Sequence, residues 1–150
     1  MTVEQVGFFS EGERLAGDLY LPEPLPDPGP GVVLCHGWGG VKTSTLNTFG
    51  AAFAEQGIAA LAFDYRGYGE SAGRRNRLHP AELAADARAA AAFLRSREEV
   101  DARKVAALGI LTGAAAALQA AAGDHLIAAV IAFYPFGDGA RWLRSLRSYW

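Results

Sequence analysis

Four short apolar runs constrain how this chain can fold. Val32–Cys35, Ile58–Phe63, Val105–Leu108 and Ile127–Phe133 are continuous rather than alternating, as expected of strands covered on both faces. The segments between them carry helical spacing. Thr43–Gln56 aligns Leu46, Phe49, Ala52 and Phe53 and stops at Gly57. Pro80–Arg97 opens on a first-turn proline and aligns Leu83, Ala87, Ala90 and Leu94, and Ala114–Ala122 is an alanine helix. Buried strands alternating with helices predict an α/β protein, a three-layer α/β/α sandwich built on a mostly parallel sheet.

Two further strands precede these runs, Val3–Ser10 and Glu13–Leu21, around the turn signal Glu11-Gly12. In the second, Leu15, Gly17, Leu19 and Leu21 alternate with Arg14, Ala16, Asp18 and Tyr20, the period of a half-buried strand. The pair reads as an antiparallel hairpin at one edge, bringing the sheet to about six strands. The proline-rich stretch Pro22–Pro30 cannot continue a ladder or a helix, so it reads as a surface connector. At 150 residues the chain is expected to form one domain, 1–150.

Composition excludes several classes of function. With 16 acidic against 14 basic residues there is no basic excess to neutralise phosphates, so nucleic acid is not an expected partner. A lone Cys35 excludes an intramolecular disulfide and a thiolate metal site, and neither metal nor cofactor is expected. No signal-peptide pattern and no membrane-length apolar run is present, which gives the expectation of a soluble, cytoplasmic protein.

In a sheet of this kind, ligands bind beyond the carboxyl ends of the strands. Three segments leave strands there with unusual residues. Cys35-His36-Gly37-Trp38-Gly39-Gly40 is a glycine-rich turn whose backbone can approach a ligand and point N–H groups at an anion. Phe63-Asp64-Tyr65-Arg66-Gly67-Tyr68-Gly69-Glu70-Ser71 is a polar turn straight after a buried run, and Gly109-Ile110-Leu111-Thr112-Gly113 joins a strand to a helix.

Together, from SEGERLAGDLYLP through HGWGG, FDYRGYGESAG and GILTG to AFYPFGDG, these segments resemble the N-terminal part of the α/β-hydrolase superfamily. The likeness is nearest to its serine esterase, dienelactone-hydrolase-like and prolyl-peptidase-like branch. The resemblance implies acyl or ester hydrolysis. It also implies a nucleophile elbow of the pattern G-x-Ser-x-G and an oxyanion hole from the backbone N–H groups of Trp38 and Thr112. Both elbow glycines stand, Gly109 and Gly113, but the nucleophile position is Leu111, which has no nucleophilic atom. Thr112 is a weak substitute, read instead as a helix-opening residue that donates its N–H. Leucine leaves two outcomes open at the elbow: a strained turn retained, or one relaxed once no nucleophile needs presenting.

The superfamily's chain order is nucleophile, acid, histidine. Asp138 matches the early acid position, although Gly137-Asp138-Gly139 also reads as a simple turn, and no histidine follows it. His36 is expected to anchor the His-Gly turn by hydrogen bonds, while His79 and His125 read as exposed loop residues. Asp64 is expected to hold its own turn together, and Cys35 to be a small core residue. Arg66, Arg74, Arg75 and Arg77 read as a solvated basic loop.

Arg141–Trp150 has the spacing of an amphipathic helix, with Trp142, Leu143, Leu146, Tyr149 and Trp150 on one face, at the place where the family begins a lid. The sequence-level expectation is therefore a partial, catalytically impaired hydrolase domain, degenerate or shortened. The alternatives are a non-catalytic module binding a small carbonyl or carboxylate ligand, and a hydrolase completed by a partner chain. Homo-oligomerisation is expected through the Ile127–Phe133 edge or the terminal helix.

Overall fold

The computed structural model describes residues 1–24, 27–75, 77–135 and 137–146. Ten elements follow in order: β1 (Thr2–Ser10), β2 (Glu13–Leu21), β3 (Gly29–Cys35), α1 (Leu46–Glu55), β4 (Ala59–Phe63), α2 (Pro80–Arg95), β5 (Val100–Ile110), α3 (Thr112–Ala122), β6 (Ile127–Phe133) and α4 (Gly139–Leu146). The strands form one six-stranded sheet in the order β1-β2-β4-β3-β5-β6. β1 and β2 pair antiparallel, as do β2 and β4, and the remaining pairs are parallel.

The continuous apolar runs of β3, β4 and β5 become covered strands because helices lie on both faces. The fourth run, Ile127–Phe133, instead lies at the sheet edge and is buried only at Ile127, with Ala128, Ala129, Ile131 and Phe133 exposed. Along β3, Val33 and Cys35 face the cluster completed by Leu83, Ala87, Ala90 and Leu94 of α2 and Ala116, Ala117 and Ala120 of α3. Val32 and Leu34 face the smaller cluster completed by Leu46 and Ala54 of α1. The alanines of α2 and α3 thus form much of the packing surface, where a short side chain lets each helix lie close to the sheet.

Several local expectations need correction. β2 is buried on both faces from Leu15 to Leu21, since Tyr20 packs under α1 and Asp18 is buried with it. On α1 it is Leu46, Gly50 and Ala54 that are buried, while Ala52 is exposed. Gly50 is there because a Cβ would run into the Tyr20 ring. β5 starts at Val100, well before the apolar run. Among the described residues no helix is long and apolar enough to cross a membrane. Of the terminal amphipathic stretch, α4 is described to Leu146. The side chains of Trp142, Leu143 and Leu146, and all of 147–150, lie outside the described residues.

The strand order locates the site. From β3 the chain crosses to β4 on one side, then to β5 on the other, so the topological switch point lies between the carboxyl ends of β3 and β5. His36–Gly40 leaves one of those strands and Leu111 the other.

Candidate active site

Leu111 has φ 54° and ψ −114°, a backbone conformation that L-residues with a bulky side chain rarely adopt. The strained turn is therefore retained. Its N–H donates to the Phe133 carbonyl at 2.9 Å, and its carbonyl accepts from the N–H groups of Ala114 and Ala115. The flanking glycines are required by space: a Cβ on Gly109 would overlap the Gly113 carbonyl, and one on Gly113 would overlap the carbonyl oxygens of Cys35 and His36. The side chain presented at the top of this turn is a leucine, 45% exposed.

The facing loop is held from below. His36 is buried and joins its Nδ1–H to the Gly37 carbonyl at 2.8 Å, leaving Nε2 to accept from the Tyr65 N–H at 3.5 Å. Its ring meets the Tyr65 and Tyr68 rings edge-on, with centroids 4.8 and 5.8 Å away. Burial lowers its pKa from the ordinary 6.5, favouring the neutral ring. Gly39 takes φ +76°, and Gly40 N–H closes the turn on the Gly37 carbonyl at 3.0 Å. Asp64 ties this loop to its own: Oδ1 accepts from the Lys42 N–H at 2.7 Å, Oδ2 from the Glu70 N–H at 3.0 Å.

Two buried ion pairs brace the same end of the sheet, and sequence reasoning missed both. Lys42 Nζ donates to Asp18 at 2.9 and 3.0 Å and lies 3.0 Å from Glu70. Burial acts to lower the Lys42 pKa, but the two carboxylates outweigh it and the net direction is up. Arg66 donates to Asp86 through its backbone N–H, Nε and Nη2, the last at 2.6 Å, and to Ser10 at 2.9 Å. Arg66 is thus paired to a fully buried carboxylate rather than solvated, whereas Arg74, Arg75 and Arg77 are exposed. The signal in the sequence is Asp86 itself, an acid set among Leu83, Ala87 and Ala90.

The backbone N–H groups of Trp38 and Thr112 donate to no protein acceptor among the described residues, Thr112 being the first residue of α3. Beside them opens a cavity of about 500 Å³ lined by Trp38, Leu78, Pro80, Leu83, Ala115 and Ala116, with Thr112 and Gln119 also on its wall. The other predicted residues stand apart. Asp138 is exposed, and its Oδ1 accepts from the Arg141 N–H at 2.9 Å, capping α4. His79 and His125 are exposed. Cys35 is fully buried, its thiol pushed up to about 12 by that burial. Among the described residues no cluster of three or more His, Cys, Asp or Glu is placed to hold a metal.

A switch-point crevice, a strained strand-to-helix turn between two space-limited glycines and a facing glycine-rich loop define an α/β-hydrolase fold. Within it, the chain belongs to the family described as serine aminopeptidase, S33, which residues 26–146 match. It is 38% identical over 135 residues to the quorum-quenching protein AidA of Acinetobacter baumannii, covering 89% of this chain and 44% of that protein. It is 34% identical over 136 residues to the thiohydrolase AneE of Aspergillus aculeatus, covering 89% of this chain and 42% of that one. The crystal structure of the α/β hydrolase GrgF from Penicillium sp. sh18 superposes with a TM-score of 0.85 at 28% identity, over 99% of this chain and 53% of that one. The chain therefore spans less than half the length of these curated relatives.

Proposed function

We propose that this chain, as one partial hydrolase domain, recognises acyl compounds but cannot attack them through residue 111. The observation that carries this reading is the mismatch at the elbow. The backbone keeps the strained conformation that presents a nucleophile, and two free N–H groups and a cavity of about 500 Å³ lie beside it. The group presented is a hydrocarbon. A nucleophile's absence is costly: removing the serine of a subtilisin triad lowers turnover roughly 10⁶-fold. The family membership and the thiohydrolase relative support hydrolysis as the ancestral chemistry.

The test is p-nitrophenyl acetate hydrolysis together with labelling by a fluorophosphonate probe. Rates equal to buffer and no label are expected, both for the chain as it stands and for Thr112→Val. Turnover above buffer that Thr112→Val abolishes, or covalent labelling of the chain, would overturn the reading. Turnover appearing only on mixing with a second polypeptide would favour the alternative in which a partner chain completes the site.

A second element of the reading is self-association through β6, supported by its position at the sheet edge. Ile131 and Phe133 there are 41% and 42% exposed, and no lysine or proline interrupts the strand. Light scattering during size-exclusion chromatography should show concentration-dependent dimers that Ile131→Lys disperses. A monomer at high concentration would end this part of the proposal.

A further inference from the structure

Leu118 stands 46% exposed on α3, while the side of the same helix that borders the cavity carries alanines. An amphipathic helix does the reverse and turns its larger apolar side chains inward. Packing explains some of these alanines, since Ala116, Ala117 and Ala120 bring α3 close to the sheet. It does not explain Ala115. That residue is half-buried and belongs to neither core cluster, and what it borders is the cavity of about 500 Å³.

The helix sets the shape of this cavity. Thr112, Ala115, Ala116 and Gln119 fall at i, i+3, i+4 and i+7, one stripe of α3. The cavity therefore runs about two turns, or about 10 Å, along the helix and away from the elbow. Pro80 and Leu83 of α2 and the opening residues of α4, Gly139 and Ala140, complete its length. An apolar cavity of about 150 Å³ holds one benzene, so this one has room for a body of about three rings.

Its chemistry is as selective as its size. Among the described residues no Asp, Glu, Lys or Arg lines the cavity, and the Thr112 hydroxyl in its wall is buried. A charged ligand would lose hydration there and gain no counter-charge. Trp38 and Pro80 bring rigid rings to the wall, against which flat apolar bodies pack at little entropic cost. Gln119, exposed at the end far from the elbow, supplies one amide where the cavity meets water.

We infer that this cavity takes an uncharged multi-ring body, and that Ala115 sets its size by leaving open the space a larger side chain would fill. The inference rests on the acyl-binding reading and deepens it: the rings are the part of the acyl compound that lies away from the carbonyl.

The test uses N-phenylnaphthylamine, an uncharged aromatic probe that fluoresces in apolar surroundings, and anilinonaphthalene sulfonate, which adds a charge to the same skeleton. The uncharged probe should bind at least about tenfold more tightly. Ala115→Phe should weaken it by about tenfold or more, and Ala115→Leu by less, because each occupies its space. Both variants should melt no lower than the parent, since they add apolar contact where there was none. Leu118→Ser and Ile131→Lys lie outside the cavity and should leave probe affinity within about twofold. Naphthyl acetate should displace the probe about fivefold more effectively than hexyl acetate, because rigid rings lose less freedom on binding.

Equal affinity for the two probes, or affinity that neither Ala115 variant changes, would overturn the inference. So would loss of binding in Leu118→Ser or Ile131→Lys, or equal displacement by the two esters. In each case an ester that still binds keeps the acyl-binding reading. Probe binding per chain that falls as protein concentration rises would put a second copy in the cavity, which also overturns the inference. If neither ester binds, the acyl-binding reading falls and the inference falls with it.

Discussion

Gly113 of α3 and Cys35 of β3 are packed backbone to backbone: a single Cβ on the glycine would overlap the cysteine's carbonyl oxygen, and the His36 carbonyl as well. Neither obstacle is a flexible side chain, so a methyl group there forces the helix away from the sheet. Gly113→Ala should therefore cost about 3 kcal/mol or more, read as a lower urea midpoint. Gly37→Ala is the control. Its nearest neighbour would be the Ile110 carbonyl at 3.3 Å, and the expected loss is within about 1 kcal/mol.

The pairing of Lys42 with Asp18 makes a different kind of prediction, because its two halves depend on each other. Lys42→Met leaves Asp18 buried among apolar neighbours without its cation, which should cost about 3–5 kcal/mol. Asp18→Asn in addition removes the stranded charge. The double variant should then be more stable than Lys42→Met alone, and a double-mutant cycle showing simple additivity would mean the pair is not coupled.

Much of this architecture is legible in the order of residues alone, and the exceptions share a cause. The covered runs of β3, β4 and β5, the edge hairpin and both elbow glycines can be read there because each follows from a short-range pattern. Ile127–Phe133, by contrast, reads as a buried run and is largely exposed at the sheet edge. Asp18 and Tyr20 pass for solvent-facing residues because alternation cannot tell water from a covering helix. Arg66 groups with Arg74, Arg75 and Arg77 because proximity in the chain hides its partner, Asp86, twenty residues away on α2. The elbow strain at Leu111 is undecidable from residue types, since leucine is compatible with either a kept or a relaxed turn. Only the backbone angles distinguish them.

Cys35 should be inert in the native state. Its thiol, fully buried and pushed up to about 12 by desolvation, has almost no thiolate at neutral pH and no path for a reagent. Reaction with Ellman's reagent is expected only after unfolding in urea. Rapid labelling of the native chain would show that the β3 end opens.

His36 should make stability depend on pH in the acid direction. Its folded pKa lies below the ordinary 6.5, so between the two values the unfolded chain binds the proton and the folded chain does not. This contribution is absent above 6.5 and grows as pH falls below it, until the folded pKa is passed. Urea midpoints should therefore drop on acidification through that window. In His36→Gln, which keeps a donor and an acceptor but does not titrate, the drop should shrink. An unchanged slope would place the acid sensitivity elsewhere.

Strain at Leu111 can be measured directly by reversing the usual order of two small residues. At an ordinary position alanine is more stabilising than glycine by about 0.4–1 kcal/mol, because glycine has more unfolded-state freedom to lose. At φ 54° and ψ −114° the Cβ of alanine carries the same backbone penalty as leucine, on the order of 1–3 kcal/mol, and glycine does not. Both substitutions remove a half-exposed side chain, so that loss cancels in the comparison. Leu111→Gly should accordingly be more stable than Leu111→Ala by about 1 kcal/mol, read from paired urea titrations. The opposite order would mean that the turn is relaxed. The acyl-binding reading, which stands on a retained elbow at Leu111, would then lose that support.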